Sequence, residues 1–278
     1  MKSSLPVFPP HASLIERIWF IFLRSANVLT LLFLVLPILV IIPLSFSDST
    51  FLAYPIPGFS LRWYDNLLHS DEWMRAAKNS FIVAPLATVI ATVLGTLAAM
   101  GLNKAAFTGK ALLMAILISP MVVPVVVVGV GVYLFFAQIG LSDSYTGLIF
   151  AHAALGAPFV VTTVSATLQG FNHNLVRASL SLGAGPIRTF FRITLPVIAP
   201  GLISGALFAF ATSFDEVVIT LFVAGPEQTT LPRQMFTGIR ENISPTIAAL
   251  ATILIVFSTC LLLALEWLRG RNKAAAKF

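Results

Sequence analysis

Two adjacent carboxylates interrupt a long apolar stretch of this chain. Asp215 and Glu216 stand inside FAFATSFDEVVITLFVAG, with Thr212 and Ser213 just ahead of them. A carboxylate within a membrane-length apolar run costs several kcal/mol unless it faces protein or a watered cavity. The pair is therefore a candidate for binding a cation or relaying a proton, and Thr212, Ser213, Asp215 and Glu216 form the candidate pathway set. Successive helical residues point about 100° apart, so one acid can face a pathway while the other pairs with a neighbouring helix. The plainer alternative is that both pair within an interface or reach toward lipid headgroups. A second stretch with chemistry in it is RASLSLGAGPIRTFFRITLPVIAPG, Arg177 to Gly201, which is polar, carries three arginines and lies between two long apolar runs.

Other chemistries find no residues. The phosphate-cradling G-x-x-x-x-G-K-[ST] is missing: Gly109-Lys110 is followed by Ala111 and has no glycine at the required spacing before it. No His, Cys or carboxylate cluster has metal-ligand spacing, and no Ser/His/Asp set is visible. His152 and His69 read as packed or interfacial side chains rather than ligands. The single cysteine, Cys260, lies in an apolar run and reads as packing. The expectation is a chain with no catalytic residue, no metal and no cofactor of its own.

The elements that must position these residues follow from hydropathy. Of 278 residues, 58% are hydrophobic and 10% charged, with a mean hydropathy of +0.94. Soluble chains carry about a quarter charged residues, so this is an integral membrane protein. A helix needs about 20 apolar residues to cross a hydrocarbon core about 30 Å thick. Six charge-poor runs qualify, at 25–47, 79–103, 111–137, 146–168, 197–223 and 242–265. All should be helices, because backbone polar groups in lipid must be satisfied within the segment.

The net charge of +6 could suggest nucleic acid, but its placement points to a membrane instead. Twelve of the seventeen Lys and Arg fall in the N-terminal tail, the second and fourth connections and the C-terminal tail, which places both termini and the Arg177–Gly201 loop in the cytoplasm. The first 24 residues lack a small-residue cleavage site and read as an uncleaved anchor. About 18 residues past the cytoplasmic start of the fifth span, Asp215 and Glu216 then lie in its outer half.

Within the cytoplasmic loop, Asn174 can cap a short helix through Leu175, Ala178, Leu182 and Ala184, which Gly183, Gly185 and Pro186 would stop. Phe190 offers an aromatic anchor, and Pro196 and Pro200 would begin the next membrane helix. On the outer side, FSLRWYDNLLHSDEWMRAAKNS reads as a short surface helix, with a plain loop as the alternative. Between spans five and six, Arg233 to Ile243 should form a re-entrant or surface helix. Prolines 37, 43, 85, 120, 124 and 158 should bend their spans, above all in SPMVVPVVVVGVGV, where they are joined by Gly129 and Gly131.

The spaced residues Gly183-Ala184, Phe190, Ile193, Leu195-Pro196 and Pro200-Gly201 resemble the EAA loop of ABC-importer permeases. From Lys78-Asn79-Ser80 onward the pattern resembles the five-helix core of type I permeases, over about residues 75–268. The resemblance implies an all-α fold of six transmembrane helices with a cytoplasmic coupling helix. It divides the chain into an N-terminal tail, first span and outer loop (1–74), a permease core (75–268, coupling loop about 171–196) and a basic tail (269–278). It assigns ATPase coupling to Arg177, Ala178, Ser179, Leu182, Gly183, Ala184, Gly185, Pro186 and Ile187.

The partners it implies are a second, different permease, two ATPase subunits that hold ATP and Mg, an extracytoplasmic solute-binding protein and membrane lipid, with no nucleic acid. The expected location is the bacterial inner membrane. SFDEVV and AGPEQTTLPRQMFTGIRENISPTIAAL look like the second permease of spermidine/putrescine systems, which implies a small cationic solute. Permeases for opines, amino-acid derivatives, ferric iron or phosphonates share much of this pattern, and a proton-coupled secondary transporter is the alternative of another class. One departure stands out: Arg177 occupies the place of the usual motif glutamate, and Ser179 that of the second alanine.

Overall fold

The computed structural model describes residues 13–104, 107–241 and 243–275, with the backbone alone at 261, 262 and 264–275. The chain divides into two compact units, Met1–Leu68 with Asn242–Phe278, and His69–Glu241.

In the first unit, α1 (Leu14–Leu44) opens with a reciprocal cap. Ser13 Oγ accepts from the Glu16 amide and the Glu16 carboxylate accepts from the Ser13 amide, satisfying two orphan donors of the first turn. None of its residues is buried, and its apolar side chains face outward all round. The segment after it is fastened by Trp63, whose Nε1 donates to the Ser47 carbonyl at 2.8 Å, and by Tyr64, whose hydroxyl lies 2.7 Å from Ser45 Oγ. These side chains sit on α2 (Arg62–His69). The last helix, α12 (Pro245–Ala275), lies against α1.

The second unit is built on α3 (Asp71–Lys104), α6 (Tyr145–Gln169) and the helix Pro186–Phe214, and each is long and apolar enough to span a membrane, as is α1. Lipid tails are as apolar as leucine, so helices in a membrane associate through close packing, which small residues permit. Ala87, Ala91, Ala99, Ala153 and Ala209 line this core. Gly156 shows how tight it is, since a Cβ there would fall 2.9 Å from that of Ala209 and 3.3 Å from that of Ala91. Partly buried hydroxyls of α6 spend their donors on the preceding turn, as Thr163 does on the Phe159 carbonyl at 2.8 Å.

Four expectations change here. The third span is not one helix: α4 (Lys110–Val122) and α5 (Val125–Ile139) meet at 108° around Val123-Pro124. Proline lacks the amide hydrogen and clashes with the preceding turn, which accounts for a break at this spot. The outer amphipathic stretch is split, because α2 ends at His69 and Asp71 already begins α3. The fifth span starts earlier than Pro196, at Pro186, and runs through α8 (Pro186–Thr189), a π-helical turn at Phe190–Thr194 and α9 (Leu195–Phe214). Pro196 and Pro200 lie inside it. It also ends earlier, since Phe214 is followed by a break and the short α10 (Val218–Val223). The sixth run begins its helix at Pro245 with Asn242 outside the described residues, and Pro245–Cys260 is its described apolar part.

Candidate functional site

The cytoplasm-assigned loop forms a bent elbow. α7 (Asn174–Ser181) is preceded by Asn172, whose Oδ1 accepts from the Asn174 amide at 3.0 Å. The N-cap position is therefore His173, which makes no side-chain cap bond, and Asn174 is the first helical residue, its amide taken by the side chain of Asn172 just ahead of the cap. The helix ends before Leu182: the Gly183 amide donates to the Leu180 carbonyl and the Ala184 amide to that of Ser179, at 3.0 and 3.1 Å. Gly183 has φ +82°, a left-handed conformation that glycine adopts without steric cost. Gly185 then precedes α8, with Pro186 at its first position, where a missing amide hydrogen costs little. Ser179 and Thr189 hold the two arms together through their hydroxyls, 3.0 Å apart.

What the elbow displays is unusual for a finished surface. Leu182 is 88% exposed and Ile187 74% exposed, and Phe191 is also open, while Phe190 is partly packed. Arg177, Arg188 and Arg192 are exposed with no ion pair among the described residues, and no acid occurs between Gly170 and Phe214. Of the nine coupling candidates, Arg177, Ala178, Leu182, Gly183, Gly185, Pro186 and Ile187 are exposed, and Ser179 and Ala184 are partly buried. An apolar cavity of about 490 Å³ lies behind the elbow, between Leu97 and Met100 of α3, Leu168 of α6 and Phe190.

The carboxylate pair sits at the other end of the same long helix, in its break rather than within a helix. Asp215 ends α9, its amide still donating to the Ala211 carbonyl at 3.1 Å. Glu216 turns back to cap α10: its Oε1 accepts from the Ile219 amide at 2.9 Å. Thus the two acids divide the roles that a 100° separation allows. Glu216 is half-buried and structural, while Asp215 is exposed, its carboxylate making no hydrogen bond or ion pair among the described residues. Ser213 is buried and Thr212 partly so, and among the described residues neither side chain hydrogen-bonds that of Asp215.

His152 of α6 bridges the break. One ring nitrogen, Nδ1, lies 2.8 Å from Ser213 Oγ and 3.1 Å from the Ser213 carbonyl; the other, Nε2, lies 3.1 Å from Thr220 Oγ1. The Thr220 hydroxyl donates in turn to the Glu216 carbonyl at 3.2 Å. A fully buried imidazole must be hydrogen-bonded, and here both its nitrogens tie the end of α9 to α10. Beyond α10, Arg233 Nη1 of α11 (Leu231–Glu241) donates to the carbonyls of Thr220, Ala224 and Gly225, capping the short helix. Asn79 Nδ2 donates to the carbonyls of Glu227 and Thr229, both at 2.8 Å, and its Oδ1 accepts from Tyr145 at 2.8 Å.

The sequence reading missed these supports. His152 is packed, as its place in an apolar span suggests, and its partners lie 61 and 68 positions away along the chain. The available signal was physical: a histidine in an apolar span must find donors or acceptors somewhere. Asn79 and Ser80, polar residues at the start of a span, carried the same signal.

The model of the family described as binding-protein-dependent transport system inner membrane component matches residues 91–273. The spermidine/putrescine transport system permease protein PotC of Escherichia coli (strain K12) is 33% identical over 241 residues, covering 87% of this chain and 90% of the relative. The putrescine transport system permease protein PotI of Escherichia coli (strain K12) is 36% identical over 230 residues, 80% of this chain and 82% of the relative. Among solved structures, a bacterial ABC transporter involved in the import of the acidic polysaccharide alginate aligns with a TM-score of 0.72 at 15% identity, over 94% of this chain and 99% of that one, a likeness of fold.

Proposed function

The chain belongs to the binding-protein-dependent transport system inner membrane components, and from that premise we propose that it carries half of an ATP-driven import pathway for a small organic cation of the polyamine class. As a permease of the ABC importer family it is a multi-pass inner-membrane transport subunit rather than an enzyme. In this reading six spans cross the membrane, the third bent and the fifth ending at Asp215, with both termini and the elbow in the cytoplasm. The second permease is a different chain. Two ATPase subunits, which hold ATP and Mg, dock on the elbows, and a solute-binding protein delivers substrate from outside.

The observation that carries the substrate class is Asp215. The fold itself does not choose a charge, since a fold relative imports an acidic polysaccharide. A lone exposed carboxylate at the end of a membrane helix repels an anion and attracts an ammonium. The named relatives, spermidine/putrescine and putrescine permeases, supply the same sign. Coupling rests on the elbow: Leu182 and Ile187 project from a turn braced by Gly183, Gly185 and Pro186. The helix Pro186–Phe214 joins that turn to Asp215 without interruption except for its π-turn. A push at one end is thereby delivered to the other. The elbow's charge is inverted relative to the usual glutamate, so its docking groove should present carboxylates to Arg177, Arg188 and Arg192.

Co-expression with a second permease, an ATPase and a solute-binding protein, followed by purification, tests this. A stoichiometric ATPase and putrescine uptake into proteoliposomes that needs both ATP and the solute-binding protein are expected. Uptake by this subunit alone, driven by a proton gradient, would overturn it in favour of a secondary carrier.

A further inference from the structure

The open face of α9 carries more than Asp215. Phe208, Ala211 and Asp215 recur at i, i+3 and i+7, one stripe of a 3.6-residue helix, and all three are exposed, Phe208 at 54%. The buried residues of the same helix, Ile198, Gly201, Gly205, Ala209 and Ser213, lie on another side of it. The stripe is bordered by aromatic rings on both neighbours. On the α6 side Phe159 stacks on Phe208, with centroids 5.9 Å apart and planes at 22°. On the α3 side Phe81, 49% exposed, meets Phe214 edge-on at 5.5 Å, and Phe214 stacks on Phe210 at 5.5 Å. Ala211, between Phe208 and Asp215 on the stripe, is exposed and carries only a methyl group.

A scattered set of phenylalanines on a membrane helix would ordinarily face lipid, but Asp215 decides otherwise here. An ionised carboxylate cannot face hydrocarbon at modest cost, so the stripe that bears it turns toward protein or a watered path. Phe208, two turns below it, turns with it, at about 10 Å along the axis. Ring faces attract cations through their quadrupole and alkyl chains through apolar contact. A carboxylate at one end of an aromatic-walled groove matches a ligand with a positively charged nitrogen at the end of a methylene chain, and it matches neither an oxyanion nor a hydrated metal ion.

We propose that Phe208 and Phe81 are the walls of an alkylammonium transit site whose charged end is Asp215. This rests on the cation reading above and adds the residues that select organic cations from inorganic ones. The groove holds the ammonium at the carboxylate while the carbon chain lies along the rings, and the ion leaves by sliding over Phe208 toward the cytoplasm.

The test uses the complete transporter in proteoliposomes with saturating solute-binding protein and labelled putrescine as probe. Phe208 and, separately, Phe81 are replaced by mono-, di- and trifluorophenylalanine, which keep the ring's shape while draining its quadrupole. Putrescine carried per ATP hydrolysed is expected to fall stepwise along the series, by about tenfold in all at Phe208 and less at Phe81. Phe208→Trp is expected to restore it and Phe208→Leu to match the trifluoro ring. A flat series in a complex that Asp215→Asn still impairs would overturn the aromatic walls and leave the cation pathway standing. A wild-type complex that carries no alkylammonium at all would overturn the cation reading and the walls with it.

Discussion

The elbow around Gly183 and the break around Asp215 are the two ends of one helix, and they are finished in opposite ways. At the break, polar groups find partners within the chain: His152 joins Ser213 to Thr220, Glu216 caps α10 and Arg233 closes it, while Asp215 is left outward. At the elbow the backbone is tied down while the side chains are offered outward, with leucine, isoleucine and three arginines lacking internal counterparts. The contrast teaches where to look for partners. A rigid surface with open apolar and basic side chains supports the proposed docking of another macromolecule, and an outward carboxylate beside a bonded network supports the proposed passage of a small cation.

The largest effect should come from Gly183→Asp. No atom lies within 4 Å of where its Cβ would go, so the fold tolerates the side chain at a backbone strain of about 1–2 kcal/mol. Transport should nevertheless fall to background, with the protein present in the membrane at normal level by immunoblot, because bulk and a negative charge sit on the docking turn. Normal uptake in that variant would erase the distinction drawn here. Next, Asp215→Asn should cut putrescine uptake about tenfold, the equivalent of about 1.4 kcal/mol, with ATPase assembly on a sizing column unchanged. Glu216→Gln should do much less, since its role is local.

His152→Ala comes third. It strips both bridging bonds, leaving the Ser213 and Thr220 hydroxyls buried without this partner, at about 1–3 kcal/mol. The expected readout is a lower melting temperature of the purified complex with uptake reduced severalfold; an unchanged melting curve would mean that the break needs no clamp. The smallest effect belongs to Arg188→Ala, a single exposed charge worth about 0–1 kcal/mol. It should weaken ATPase co-purification at most a few-fold, and less at high salt where the charge is screened, while Arg188→Glu should be clearly worse. Equal behaviour of the two would remove charge from the elbow's recognition.

Much of this was legible in the chain. Apolar length located the spans, because hydrocarbon thickness leaves little freedom, and Gly183, Gly185 and Pro186 marked the turn because their backbone preferences are local. What escaped depended on partners distant in sequence or on a competition between local choices. Asp215 and Glu216 read as mid-helix residues because the apolar run continues past them to Val223; the break exists because the glutamate side chain offers α10 a cap and His152 reaches both sides. Asn174 begins α7 instead of capping it, because the helix starts one residue earlier than expected and Asn172 takes the first free amide from ahead of the His173 cap. Proline 124 signalled a bend, but not one of 108°.

That sharp bend sets a demand on the surroundings. α4 and α5 have 13 and 15 residues, about 20 and 22 Å at about 1.5 Å per residue, so neither alone matches a hydrocarbon layer about 30 Å thick. The first amides of α5 and the two prolines beside them leave backbone that lipid cannot solvate. A corner of this kind needs a roof of protein or water, and a copy of the subunit stranded without its companion would carry an unhealed notch in the bilayer, ready for quality-control proteases to find.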